Sequence, residues 1–224
     1  AVNLLRKAGC TVTDGNRVRV PAWRVDWALR TAPKQIMLYD QLGEPAMWLS
    51  GRQAFYGNGS DLLYIIDHKT NERRRATLAD EIAGVQLLDT LPGIDYVMSY
   101  CLPGDVPVEQ AEAMQTKVML ENTTKPIVYV TTSLRTTQQA VEMMEIAAGG
   151  AQALRDRPFC ACYINITAPL RQNTESVEKL MWLAEKNLPA IYRPSIFTRG
   201  ITTPITVAGF IALNNASQLA GMVL

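Results

Sequence analysis

From residue 96 onward, short apolar runs alternate with longer amphipathic stretches. Tyr96-Val97-Met98-Ser99-Tyr100-Cys101 predicts a strand, and residues 108–122 a helix carrying Ala111, Met114, Val118 and Met119 on one face. Pro126-Ile127-Val128-Tyr129-Val130 is the next strand, ending in Thr131-Thr132-Ser133. Residues 137–148 form the next helix, closed by Gly149-Gly150. Residues 159–164 read as a strand ending in Asn165-Ile166-Thr167, residues 176–186 as a helix, and residues 189–192 as a strand. An Ala-rich helix follows from Thr206. Strands alternating with helices at this spacing predict a parallel sheet with crossover helices, and their apolar content suits strands covered on both faces.

Upstream, residues 1–50 read as a small N-terminal α+β region. Residues 3–8 form a helix end with Gly9 as its stop, and Asp14-Gly15-Asn16 turns a hairpin. Pro21 opens a helix carrying Trp23, Val25, Trp27 and Leu29. Residues 36–40 and 46–49 form a second hairpin through Gly43, with the tryptophans taken as packing groups. After Gly57-Asn58-Gly59-Ser60-Asp61 comes a third hairpin, over residues 62–75, and then a helix. Thr77 is its N-cap, Asp80 and Glu81 sit in the electropositive first turn, and Ala83, Leu87 and Leu88 supply its apolar stripe.

Two closures suit such a sheet: an open doubly wound sheet or an eightfold barrel. Gly57-Asn58-Gly59 lacks the third glycine of a dinucleotide fingerprint and precedes a hairpin rather than a helix. With residues 53–56 as the first, five candidate strands are present. We therefore expect an α/β fold, a (β/α)8 TIM barrel cut after its fifth repeat, over residues 51–224. The chain begins at Ala1 and stops inside an apolar, helix-like stretch at Val223-Leu224, so a longer parent protein is expected.

Charge narrows the function classes. With 22 Lys and Arg against 21 Asp and Glu in 224 residues, interspersed, the chain lacks the clustered basic face of a nucleic-acid binder. No apolar run reaches membrane-spanning length, no secretory leader is recognised, and a cytoplasmic location is expected. Cys10, Cys101, Cys160 and Cys162 show no metal-ligand spacing and read as buried free thiols.

A barrel collects the C-terminal ends of its strands on one face, where barrel enzymes place their sites. The residues delivered there are Asn58 and Asp61, Ser99 to Leu102, Thr131 to Ser133, Asn165 and Thr167, and Arg193 and Ser195. Asp61 is the only acid among them, so paired-carboxylate glycoside chemistry is excluded. His68, the sole histidine, lies in a surface hairpin, which excludes a Ser-His-Asp triad. Lys125 precedes its strand, so no strand-end lysine offers a Schiff base, which disfavours an aldolase-type barrel. Tyr56 and Tyr100 with Asp61 suit an organic cation held by aromatic faces and a carboxylate; packing is the alternative for both tyrosines.

Gly57-Asn58-Gly59-Ser60-Asp61, followed by Asp67, Thr70, Glu72-Arg73-Arg74 and Leu78 with Asp80, resembles the trimethylamine methyltransferase family. So do Leu4-Leu5-Arg6-Lys7-Ala8-Gly9-Cys10, Val20-Pro21, Ala32-Pro33 and Pro204-Ile205-Thr206-Val207-Ala208-Gly209 with Asn214-Asn215-Ala216, Leu219, Ala220 and Gly221. The resemblance implies a barrel enzyme that demethylates a tertiary or quaternary methylamine, trimethylamine or a glycine betaine-like compound. The methyl group would pass to the cobalt of a separate corrinoid protein docked over the barrel mouth. It also implies that some members carry pyrrolysine in the C-terminal half, whereas relatives without it act on quaternary amines. No cofactor is then bound directly, and the corrinoid comes with the partner. A homo-oligomer is expected. The substrate-binding set would be Tyr56, Asn58, Asp61, Tyr100, Thr132, Asn165 and Arg193, the last as a clamp for a substrate carboxylate. A non-catalytic barrel subunit holding a small organic cation or a partner protein is the alternative.

Overall fold

The computed structural model describes residues 1–194 and 198–224. In chain order the elements are α1 (Val2–Lys7), β1 (Thr11–Thr13), β2 (Arg17–Arg19), α2 (Ala22–Thr31), β3 (Gln35–Tyr39), β4 (Pro45–Ser50), β5 (Tyr64–Ile66), β6 (Arg73–Arg75) and α3 (Leu78–Thr90). Then come α4 (Val108–Asn122), β7 (Ile127–Val130), α5 (Leu134–Ala148), α6 (Ala151–Asp156), β8 (Cys160–Ile166), α7 (Thr174–Lys186), β9 (Ala190–Pro194) and α8 (Val207–Val223). They fall into two compact units. One comprises Ala1–Lys34, Ile164–Glu185 and Tyr192–Leu224, the other Gln35–Tyr163 and Lys186–Ile191.

In the first unit, Gly9 at φ 87° ends α1, in a left-handed conformation that glycine adopts without strain. The β1–β2 hairpin turns through Asp14 and Gly15, both at positive φ. Leu5, Cys10, Ala28 and Val223 form a core cluster, with Val18, Val20, Val25 and Leu224 packed against it. The tryptophans of α2 pack less than their size suggested. Trp23 and Trp27 keep 54% and 47% of their surface exposed, and the Arg24 guanidinium stacks on both rings, 4.4 and 5.1 Å from their centroids. Arg24 also donates to the Ala8 carbonyl just past α1. Farther along, Thr206 caps α8 by accepting from the Gly209 amide at 3.2 Å.

The second unit holds two antiparallel hairpins, β3–β4 and β5–β6, together with β7 and the first residues of β8 and β9; these last three strands form a sheet in the order β7-β8-β9. β7 and β8 are parallel, with Tyr129 opposite Cys162. Two further segments extend this order through single parallel bridges: Val97 to Ile127, then Gly57 to Tyr96 and Leu62 to Cys101. The parallel succession therefore starts with residues 57–62 and 96–101 and continues through β7 and β8. The strand expected over residues 53–56 forms no ladder; the bridges begin at Gly57. Gly57 lacks the Cβ that would collide with the Tyr96 ring, and beyond it the Asn58 side chain, rather than a peptide, meets the neighbouring segment.

Helices α3 and α4, and α4 and α5, pack pairwise. The stripe of α3 is rotated from the expected one. Its buried positions are Glu81, Gly84, Val85 and Leu88, while Leu87 is 60% exposed. Lys125, ahead of β7, donates to the carbonyls of Leu88 and Leu91 at 2.8 and 2.7 Å, placing a cation at the negative end of α3. Helix α5 begins three residues earlier than expected, because Ser133 and Thr136 form its capping box, and Gly149 at φ 85° ends it. α6 was not anticipated; at six residues it is too short to show a period. Leu38, Met47 and Ala161 form a core cluster with Ile36, Leu49, Phe55, Tyr96 and Ile191 around it. All four cysteines are buried free thiols. Among the described residues, no helix is long and apolar enough to cross a membrane.

Candidate functional site

At the exit of the first two parallel segments, Asp61 has φ 60°, a conformation that Asp tolerates better than most residues with a Cβ. Its amide donates to the Ser99 carbonyl at 3.2 Å. Its Oδ1 accepts from Ser99 Oγ at 2.9 Å and from Gln115 Nε2 at 3.1 Å. The same Gln115 Nε2 donates to the Cys101 carbonyl at 2.8 Å. Glu81, delivered by the first turn of α3, is fully buried. Its Oε2 accepts the Cys101 amide at 2.5 Å, while Oε1 has no hydrogen-bond partner. Burial pushes the Glu81 carboxyl up to about 7; the Cys101 and Tyr100 amides offset part of that rise, and the Asp61 charge adds to it.

Glu81 is the site residue that sequence reasoning missed. Its acidity suited the helix start, and the burial signal lay in spacing. Glu81, Gly84, Val85 and Leu88 stand at i, i+3, i+4 and i+7, one face of a helix.

Asn58 is spent on backbone. Its Nδ2 donates to the Met98 carbonyl at 2.9 Å and its Oδ1 accepts the Met98 amide at 2.8 Å, so the side chain pairs as a peptide would. The Tyr100 ring lies against Gly84 of α3, where any Cβ would overlap it. Tyr56 sits at the opposite end of the first segment from Asp61. It is 66% exposed and exchanges hydrogen bonds with Asp95, its amide to the carboxylate and its carbonyl from the amide, both at 2.7 Å. Thr132 is exposed beyond β7, and its amide donates to Glu112 Oε1 at 3.0 Å. The structure thus brings Asp61, Ser99, Tyr100 and Asn58 to neighbouring segments and leaves Tyr56 at the far end of its own.

Asn165 and Arg193 belong to the first unit, both exposed, on β8 and β9. The Asn165 carbonyl accepts from Ser176 Oγ at 2.5 Å. Ser195 lies outside the described residues.

Between the exit at Leu62 and α3, the β5–β6 hairpin is tied down by one guanidinium. Arg74 meets Asp67 at 2.9 Å and both oxygens of Asp80 at 2.7 and 2.9 Å. Asp80 in turn accepts from the Thr77 amide and hydroxyl at 2.8 and 2.7 Å, closing the start of α3. The Lys69 amide, the Arg74 side chain and the Thr70 amide hold Asp67 down at about 2. On the opposite face, Arg73 stacks 3.8 Å from the centroid of the Tyr64 ring. His68 is exposed in the turn. Among the described residues, no three His, Cys, Asp or Glu side chains gather as a metal site.

A family model described as trimethylamine methyltransferase (MTTB) matches residues 1–224. The chain is 26% identical over 225 residues to "Trimethylamine methyltransferase MttB" of Desulfitobacterium hafniense (strain DSM 10664 / DCB-2), covering 100% of this chain and 45% of the relative. It is 26% identical over 231 residues to "Glycine betaine methyltransferase" of Desulfitobacterium hafniense (strain Y51), covering 100% of this chain and 46% of the relative. To "Proline betaine:corrinoid methyltransferase" of Eubacterium limosum it is 26% identical over 232 residues, covering 100% of this chain and 47% of the relative. The chain therefore spans about half the length of the curated relatives it matches.

Proposed function

This chain belongs to the trimethylamine methyltransferase family, and we propose that the whole protein moves a methyl group from a tertiary or quaternary methylamine to the cobalt of a cognate corrinoid protein. The observation that carries this reading is the family match along all of residues 1–224. The relatives' names agree on methyl transfer, and one of them names a corrinoid. The parallel succession of segments 57–62, 96–101, β7 and β8 supports reading the fold as the opening of a (β/α)8 barrel with Asp61 at its mouth.

A quaternary ammonium carries no proton, so acid–base pairs have no task in the step itself. The chain's task is to hold the cation in line for transfer and to exclude water. Asp61, braced by Ser99 and Gln115, supplies the counter-charge. Asn58 fixes the neighbouring segment at Met98. Thr132, just beyond the end of β7, contributes a further polar group. The corrinoid, carried by its own protein, supplies the metal centre that accepts the methyl group.

The test is methyl transfer by the whole protein with its reduced corrinoid partner and, separately, trimethylamine, glycine betaine and proline betaine. Methylcobalamin absorbance should rise with one of them, and no rise with any methylated amine overturns the reading. Asp61→Asn should lower kcat/KM about 30-fold, the loss of one partly desolvated charge pair. Unchanged turnover in a folded Asp61→Asn protein removes Asp61 from the site.

A further inference from the structure

We propose that Glu81 is a positioning residue for Asp61, acting through the Cys101 backbone and the Gln115 side chain. The path is continuous and crosses four pieces of chain. Glu81 Oε2, on α3, accepts the Cys101 amide at 2.5 Å. The carbonyl of the same residue accepts from Gln115 Nε2, on α4, at 2.8 Å, and that nitrogen also reaches Asp61 Oδ1 at 3.1 Å. Gln115 is itself buried, 3% exposed, so its amide is oriented by these two acceptors rather than by water. Ionised Glu81 holds the Cys101 amide more strongly than neutral Glu81 does, which moves the backbone at Cys101 and with it the carbonyl, on the next peptide unit, that shares Gln115 with Asp61.

Glu81 is built to change state. Its second oxygen is buried without a partner, a condition that penalises the ionised form far more than the neutral one. Among the described residues, the groups that act on it carry no positive charge. Asp61 comes from the first segment, and Cys101 from the second, with burial pushing its thiol upward. α4 brings the neutral Gln115. On its own helix, the charge of Asp80 is taken up by Arg74. Among the described residues no cation perturbs Glu81, and an ammonium bound at Asp61 would supply the missing counter-charge. Binding of an ammonium there should therefore favour ionised Glu81 and release a proton from it near neutral pH. The link from Glu81 to Asp61 stands on geometry; its use in turnover rests on the methylamine reading above.

The first test needs no substrate. The side-chain amide of Gln115, labelled with 15N in the whole protein and assigned by its loss in Gln115→Asn, is followed from pH 5.5 to about 8.5. Wild type should titrate with one midpoint near 7, and folded Glu81→Gln should show none. A wild type without a midpoint in that window overturns the proposal, whether or not the variant folds. So does a midpoint that persists in Glu81→Gln. In turnover with glycine betaine, whose nitrogen cannot titrate, the wild-type KM should fall about fivefold as Glu81 ionises, and kcat should move little. Glu81→Gln should flatten that KM profile, and Glu81→Asp should restore a shifted one. A KM profile unchanged by Glu81→Gln overturns the role in binding. A Gln115 titration without turnover of any amine sustains the Glu81 link and overturns the function reading instead.

Discussion

Asn58 and Glu81 show how differently two polar side chains can be fixed on adjoining segments. Asn58 both gives to and takes from the Met98 backbone, which a carboxylate cannot do. Asn58→Asp keeps the acceptor but sets a carboxylate against the Met98 carbonyl. It should cost about 1–3 kcal/mol in denaturant unfolding, and Asn58→Gln should not restore it, being one methylene too long. Glu81 behaves oppositely with pH. Its folded-state value near 7 lies above the unfolded 4.5, so the folded protein holds an extra proton between the two. Stability should fall as pH rises from about 4.5 through 7, and Glu81→Gln should remove that component, gaining about 2–3 kcal/mol at pH 8. Thermal midpoints at pH 5.5 and 8 for both proteins check the sign. Turn chemistry in the sequence pointed to Asn58 and Asp61, because glycines and short polar residues act locally. Glu81 was hidden because helix-start chemistry and burial both act on that position, and acidity in a first turn explains the residue without any core.

At the level of elements, local signals were the readable ones. The Thr77–Asp80 start of α3, the Gly149 stop of α5 and the hairpin turn at Asp14-Gly15 all stand where short-range chemistry sets them. The α3 face was read correctly at Leu88 and misread at Ala83 and Leu87, which look apolar, while the buried stripe continues through Val85 and Gly84, where the Tyr100 ring must fit. Gly84→Ala should cost about 1–3 kcal/mol by overpacking, beyond any gain in helix propensity. Combining it with Tyr100→Ala should recover part of that loss, a coupling visible in a double-mutant cycle. Arg74 ties a hairpin to a helix start, so Arg74→Ala should open residues 64–75 to protease while leaving the midpoint of global unfolding nearly unmoved. Limited proteolysis with mass mapping reads this directly.

Across the whole chain, the alternation of strand and helix was legible because period and length are carried by every residue of an element. What the pattern left open was how the first parallel segment is held, since Gly57 and Leu62 join their neighbour by single bridges rather than a ladder. The burial of all four cysteines was also readable, from apolar surroundings and unsuitable spacing. In the native protein, Cys10, Cys101, Cys160 and Cys162 should resist alkylation at pH 8 and label together with denaturant, as peptide mapping would show. Three tyrosine rings rest on bare glycine backbone: Tyr96 on Gly57, Tyr100 on Gly84, and Tyr192 on Gly221. At each seat the two positions are free to vary only as a pair. Scans of single substitutions will score these glycines as immutable, whereas libraries randomising both partners should recover small-ring or ringless combinations. In an alignment of relatives, the same three pairs should appear as covarying columns.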